Sequence, residues 1–238
     1  MSNPFSQAPS TPIAGGLDQA ERVSAFLTKV YGWMFAGLAI TAMVALYVAS
    51  SPTLIQTVVA NRWMFYGIIF AELGLVWYVS ARIATLAPGT AAALFAIYSA
   101  LNGVTLSIIL LVYTGSSIGM AFLTTSAMFG ALAVYGTVAK RSLAGVGQFA
   151  FMGLVGIIVA SLVGFFWHSD TLQFVISVCG VIVFTGLTMW DAQRLRNMAL
   201  QVDGDQVGSY AIGGALSLYL DFINMFLFML RFMGRSRN

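Results

Sequence analysis

The sequence predicts an all-α integral membrane protein with seven transmembrane helices. Three observations carry that reading. Of 238 residues, 59% are hydrophobic and 8% are charged, with a mean hydropathy of +0.88, whereas soluble domains carry about 25% charged residues. Seven stretches approach or exceed the ~20 mostly apolar residues that a helix needs to cross the hydrocarbon core. They are too long for strands and lack the period-2 alternation of a membrane β-barrel.

In chain order, residues 1–16, MSNPFSQAPSTPIAGG, hold three prolines and no Lys or Arg. They lack the basic start and apolar middle of a signal peptide and read as a disordered tail, with residues 17–238 as a single domain. The first run, 30–50, closes at SSPTLIQ, where Pro52 punctuates the pattern. The second, 63–81, is apolar apart from Glu72 and closes at Arg82. The third, 90–112, follows ARIATLAPGT and contains Asn102 and Thr105; YTGSS separates it from the fourth, 117–138. AKRSLAGVG precedes the fifth, 147–167, in which Gly156, Ala160 and Gly164 recur at a spacing that favours close helix packing. After WHSDT comes the sixth, 172–190, ending at Asp191. The polar DAQRLRNMALQVDGDQVGS then leads to the seventh, 210–231.

Lys and Arg in the connections set the orientation. With the N-terminus inside, that side holds Arg22, Lys29, Arg82, Lys140, Arg141, Arg194 and Arg196; the other holds Arg62, Arg231, Arg235 and Arg237. The N-terminus is therefore expected in the cytoplasm. Seven spans leave a basic C-terminus outside, which a re-entrant last segment would relieve; seven full spans is the reading adopted.

Several function classes are excluded. The basic residues form no patch that could follow a phosphate backbone, so no nucleic-acid partner is expected. The lone Cys179 allows no intrachain disulfide. One histidine, His168, does not make a zinc site. Lys29 and Lys140 lie at run ends, unsuited to a retinal Schiff base. No phosphate-binding G-x-x-x-x-G-K-[ST] stretch occurs. The chain does not divide into two similar halves with broken helices. Intramembrane aspartyl proteases also use an Asp in each of two helices, but Asp221 follows Leu-Tyr-Leu rather than a glycine-rich stretch and no Pro follows Pro88. The chain is not read as an enzyme, and no cofactor is expected.

Three acids stand at membrane depth: Glu72, Asp191 and Asp221. An ionisable group there normally faces the bundle interior or a water-filled cavity. Ser217, Asp221, Asn224 and Arg231 fall at i, i+4, i+7 and i+14, a narrow polar stripe on an otherwise apolar helix, which suits a central helix with its stripe on a cavity. The bland alternative is a hydrogen-bonded packing stripe. Asp191 and Asp221 are equidistant from position 206 in the polar linker, so an antiparallel hairpin sets them at one depth. Two neighbouring carboxylates resist ionising together and can share one proton. Arg82, on the same expected inner side, is a candidate ion-pair latch for Asp191; the alternative is an ordinary helix-end charge at the water interface. Glu72 lies about 15 Å from Arg82 at roughly 1.5 Å per residue. It is expected either to line a cavity with Asn102 and Thr105 or to be a buried, protonated acid.

MWDAQRLR around Asp191 and LSLYLDFINMFLFMLRFMG around Asp221 resemble the signature ends of helices six and seven in the Bax inhibitor-1 family of small membrane proteins, bacterial type. The likeness covers nearly the whole chain, including the acid in the second helix and the basic residue at its end. It implies six helices surrounding a central C-terminal helix, in the bacterial cytoplasmic membrane. It also implies a pH-dependent calcium leak, with calcium as the transported ion. In that scheme Asp191 and Asp221 are the pH sensor and gate and contact calcium transiently, Arg82 is the latch, and Glu72 lines the pore with Asn102, Ser217 and Asn224. Partners are then the lipid bilayer, calcium and protons. Some relatives are understood instead as regulators that bind a membrane-bound ATP-dependent protease without conducting, a role in which residues 1–16 would be engaged. Neutralising Asp221 would spare that role, whereas a channel would lose its gating.

Overall fold

The computed structural model describes residues 12–167, 169–204 and 206–235. Its eight elements are all α-helices: α1 Pro12–Ser50, α2 Pro52–Ala60, α3 Arg62–Arg82, α4 Pro88–Val112, α5 Gly115–Val138, α6 Ala144–Phe166, α7 Asp170–Met198 and α8 Gln206–Met233. All but α2 are long and apolar enough to cross a membrane. The predicted sixth and seventh spans are thus α7 and α8. α1 starts at Pro12, inside the segment read as tail, and residues 1–11 lie outside the described residues, as does His168.

The chain punctuates itself with proline and short polar side chains. Pro52 and Pro88 occupy the first turns of α2 and α4, where a missing N–H costs nothing. Asn61 accepts a hydrogen bond from the Met64 N–H at the start of α3, Thr114 from Ser117 in α5, and Ser169 from Leu172 in α7. Each satisfies a backbone donor that the helix itself leaves open. Pro52 therefore opens a short helix within the connection that the sequence suggested was a plain loop.

α8 is the centre of the bundle. In its apolar window 61% of residues are buried, against 6% for α3. It packs on α1, α4, α5 and α7, while α3 leans mainly on α4 and α6 on α7. The ring around the central helix is thus four helices, with α3 and α6 outside it rather than completing a ring of six. α3 does reach α8 at its C-terminal end, where Ile83 meets Gly213. The outer faces carry Phe70, Trp77, Phe149 and Leu162, all exposed, as suits side chains whose solvent is hydrocarbon. α8 is one unbroken helix of 28 residues, so its length calls for no re-entrant segment.

Of the Gly156, Ala160 and Gly164 stripe, Gly164 packs close on α7, where an added Cβ would lie 3.1 Å from Gln173 Nε2, but the tightest approaches to a neighbouring backbone lie elsewhere. Around Gly156 there is open space, whereas a Cβ on Gly136 would collide with the Met189 carbonyl of α7, and one on Gly103 would sit 2.7 Å from the Thr41 carbonyl oxygen of α1. The register of α7 and α8 is fixed by Leu195 against Gly214 and Phe228 against Gly180. It centres on Gly204, whose φ of 66° makes the turn possible without a Cβ penalty.

Candidate functional site

That register sets Asp191 beside Leu218 and Asp221 beside Thr188. The two carboxylates are therefore offset by three residues, roughly 4.5 Å along the axes at about 1.5 Å per residue. The expectation of equal depth, drawn from a midpoint at 206, is corrected by nearly one turn because the hairpin pivots at Gly204. The seam still brings the pair together: Asp191 is 7% exposed and Asp221 5%, and the charges acting on Asp221 are those of Asp191 and Arg194. Asp191 Oδ1 and Asp221 Oδ2 are buried without hydrogen-bond partners. A fixed charge in that position is costly, and a structure retains it where it serves a purpose.

Arg194 holds this seam. Its Nε lies 3.7 Å from Asp191 Oδ1, an i,i+3 ion pair too long for a hydrogen bond. Its Nη2 donates to Ser217 Oγ of α8 at 3.3 Å, and the guanidinium lies 5.1 Å from the centre of the Trp190 ring. A cavity of about 350 Å³ opens beside it, lined by Val79 and Ser80 of α3, by Ile83 just after it, and by Tyr210 and Ser217 of α8. A second, of about 230 Å³, lies between Trp190, Gln193 and Asn197 and the α5–α6 connection. Arg194 walls both.

The latch assignment is therefore corrected. Arg82 is exposed at the end of α3, and among the described residues it makes no ion pair. Arg194 shares a helix with Asp191 and needs no second element to reach it. The signal was legible in D-A-Q-R, since residues three apart on a helix face each other.

The second acid belongs to a separate network. Glu72 accepts hydrogen bonds from Thr105 Oγ1 at 2.5 Å and, weakly, from Asn102 Nδ2 at 3.5 Å. Asn102 Oδ1 accepts from the Tyr219 hydroxyl at 3.1 Å. That hydroxyl lies 2.6 Å from Thr41 Oγ1, which donates to the Ser99 carbonyl at 2.9 Å. The chain joins α3, α4, α8 and α1. Of its members, Glu72, Asn102 and Thr105 were expected together; Thr41 and Tyr219 were not, because a lone Thr and Tyr in apolar runs give no periodic signal. Phe95 and Tyr98 clamp the Tyr219 ring edge-on at 5.6 and 5.7 Å.

The predicted stripe on α8 is divided. Ser217 and Asp221 meet α7, but Asn224 donates back to the Leu220 carbonyl of its own helix at 2.8 Å, so its amide is engaged locally. Arg231 is exposed, 5.7 Å from the Phe228 ring centre. Gln193 went unnoticed in the sequence: buried on α7, it accepts from the Leu143 N–H at 2.7 Å and donates to the Arg141 and Ala139 carbonyls, tying down the α5–α6 connection. Among the described residues no three His, Cys, Asp or Glu side chains gather as a metal cage. Any cation contact at the pair would rest on two carboxylates and hydroxyl oxygens.

A multi-pass helical membrane protein with a carboxylate pair buried on the seam between its central helix and α7 is the class these features define. The chain belongs to the Bax inhibitor-1 family: the family model described as inhibitor of apoptosis-promoting Bax1 matches residues 23–238. It is 47% identical over 215 residues to the inner membrane protein YbhL of Escherichia coli K12, covering 89% of this chain and 92% of that one. It is 43% identical to an uncharacterized protein of Borreliella burgdorferi over 90% of this chain and 93% of the relative. With an uncharacterized membrane protein of Streptococcus pyogenes the identity is 37%, over 89% and 93%. A multi-pass protein of the inner membrane fits both the relative's name and the seven apolar helices.

Proposed function

We propose that this protein is a pH-sensitive, calcium-permeable leak of the bacterial inner membrane, N-terminus in the cytoplasm, gated by Asp191 and Asp221. The observation that carries this reading is the buried pair on the α7–α8 seam, held by one arginine that bridges both helices. At low pH the pair shares a proton, repulsion is small and the seam stays closed. As pH rises both carboxylates ionise, their repulsion works against the Arg194–Ser217 bridge, and α7 and α8 part along the line that begins at the 350 Å³ cavity. Calcium prefers oxygen ligands, and the two carboxylates with Ser217 supply them in passing rather than as a cage.

The test is calcium entry into liposomes holding the purified protein, near pH 6 and near pH 8, for wild type beside Asp221→Asn. The reading predicts flux that rises with pH in wild type and a mutant whose flux no longer follows pH. No flux above empty liposomes at either pH overturns it, and a partner-binding role, such as regulation of a membrane-bound protease, then takes its place.

A further inference from the structure

Between α1 and α5 the bundle is split. α1 packs on α4 and α8, and α5 on α7 and α8. The gap left between α1 and α5 has a deep part and a mouth. The deep part is an apolar slot of about 550 Å³, walled by Met34 and Leu38 of α1 and by Phe129, Gly130 and Ala133 of α5, with Phe222 of α8 at its floor. The mouth is a wider cleft of about 1030 Å³ toward the N-terminal half of α1. The two share Leu27, Tyr31, Phe35 and Thr137, so they are continuous. At the mouth the lining turns polar, with Ser24, Thr28 and Arg196.

Arg196 is fixed there as a cation. Its Nη1 donates to the Thr137 and Ala139 carbonyls at 2.8 and 3.0 Å, under the C-terminal end of α5. Its Nε and Nη2 meet the neutral side chain of Asn197. Among the described residues no carboxylate forms an ion pair with it. Exposed Lys140 and Arg141 follow directly after α5, whose Val138 lines the slot. Asp18 and Glu21 are not among the residues that line the cleft. Among the described residues, Arg196 is thus the one charged side chain that lines the mouth, while the slot beneath it is apolar and lies between two membrane helices.

We propose that the α1–α5 cleft is a binding site for one anionic phospholipid, with an acyl chain in the slot against Phe222 and the phosphate beside Arg196. A slot of about 550 Å³ lined almost wholly by apolar side chains suits a hydrocarbon chain. Basic pockets between transmembrane helices attract anionic headgroups, each cation near the surface adding about fivefold in affinity. This site is independent of conduction, though its floor residue directly follows Asp221.

The test is native mass spectrometry of the full-length protein equilibrated with phosphatidylglycerol and phosphatidylcholine of identical acyl chains. Wild type is expected to retain one lipid, with the anionic form favoured about fivefold or more. Gly130→Leu, whose new side chain enters open space, fills the slot and abolishes retention. If that variant does not fold, Gly32→Leu, also facing open space at the mouth, narrows the entrance instead. Arg196→Gln keeps the lipid but loses the headgroup preference, and Arg196→Lys recovers it. Equal retention of both headgroups by wild type, or undiminished retention in a folded slot-filling variant, overturns the proposal. So does retention that emerges only after residues 1–11 are removed, which would make the chain's own N-terminal segment the occupant.

Discussion

Arg194 donates from α7 to Ser217 of α8 at 3.3 Å while the same guanidinium faces Asp191 on its own helix. One side chain thereby answers a buried charge and tethers the two helices whose separation the proposed gate requires. Arg194 is 42% exposed, so the tether is worth on the order of 1 kcal/mol. Arg194→Gln is expected to raise calcium flux near pH 6 about fivefold in liposomes. Arg82→Gln, which breaks no ion pair, should stay within about twofold of wild type; the reverse ranking would return the latch to Arg82.

Asp191 and Asp221 are expected to behave as one unit. In a double-mutant cycle with Asp191→Asn and Asp221→Asn, the effects on flux near pH 8 should be non-additive, with a coupling of about 1 kcal/mol or more, as for residues that interact directly. Either single variant should remove most of the pH dependence. Additive effects would mean that the two carboxylates act separately.

The network through Tyr219 is expected to be structural. Tyr219→Phe leaves Asn102 Oδ1 and Thr41 without their shared hydroxyl, at a cost of about 0.5–2 kcal/mol in the membrane. Thermal unfolding in detergent should show the loss, while the pH dependence of flux remains. A variant that unfolds normally but no longer follows pH would place Tyr219 in the gate.

Gly136 and Gly156 provide a packing contrast. Gly136→Leu drives a side chain into the Met189 carbonyl of α7 and is expected to cost about 3 kcal/mol or more, read as poor recovery of folded protein. Gly156→Leu enters open space and should be recovered like wild type.

Gln193→Leu removes three hydrogen bonds from the connection at residues 139–143. Hydrogen exchange at Leu143 should quicken by about tenfold or more, since a hydrogen bond contributes about 1 kcal/mol and two bare carbonyls are left behind. Exchange along α8 should not change.

What the sequence made legible follows from the cost of charge in an apolar medium. Asp191, Asp221 and Glu72 stand out because so few residues around them are polar, and the structure puts all three in side-chain networks or seams. The spans emerged for the same reason. Arg194 was hidden by its own ordinariness: counted as one more cation at a helix end, it is set apart only by the helical turn that aims it back at Asp191. Thr41 and Tyr219 were hidden because single hydroxyls are common in membrane helices, and their significance lies in meeting across 178 residues of chain. The offset of the aspartates depended on where the hairpin pivots, which Gly204 settles through a backbone angle that composition does not announce.

Tyr219 and Asp221 stand two positions apart on α8, about 200° around a helix of 3.6 residues per turn. The central helix therefore has a hydroxyl clasped by α1 and α4 on one side and an acid facing α7 on nearly the opposite side. A rigid shaft gripped at both flanks does not turn at one without sliding at the other. If the proposed gate opens by rotation of α8, the Tyr219 clasp is loaded with it, and through Asn102 so is Glu72. In that case Tyr219→Phe moves the pH at which flux rises while leaving the dependence on pH in place. The two acidic sites share one axle.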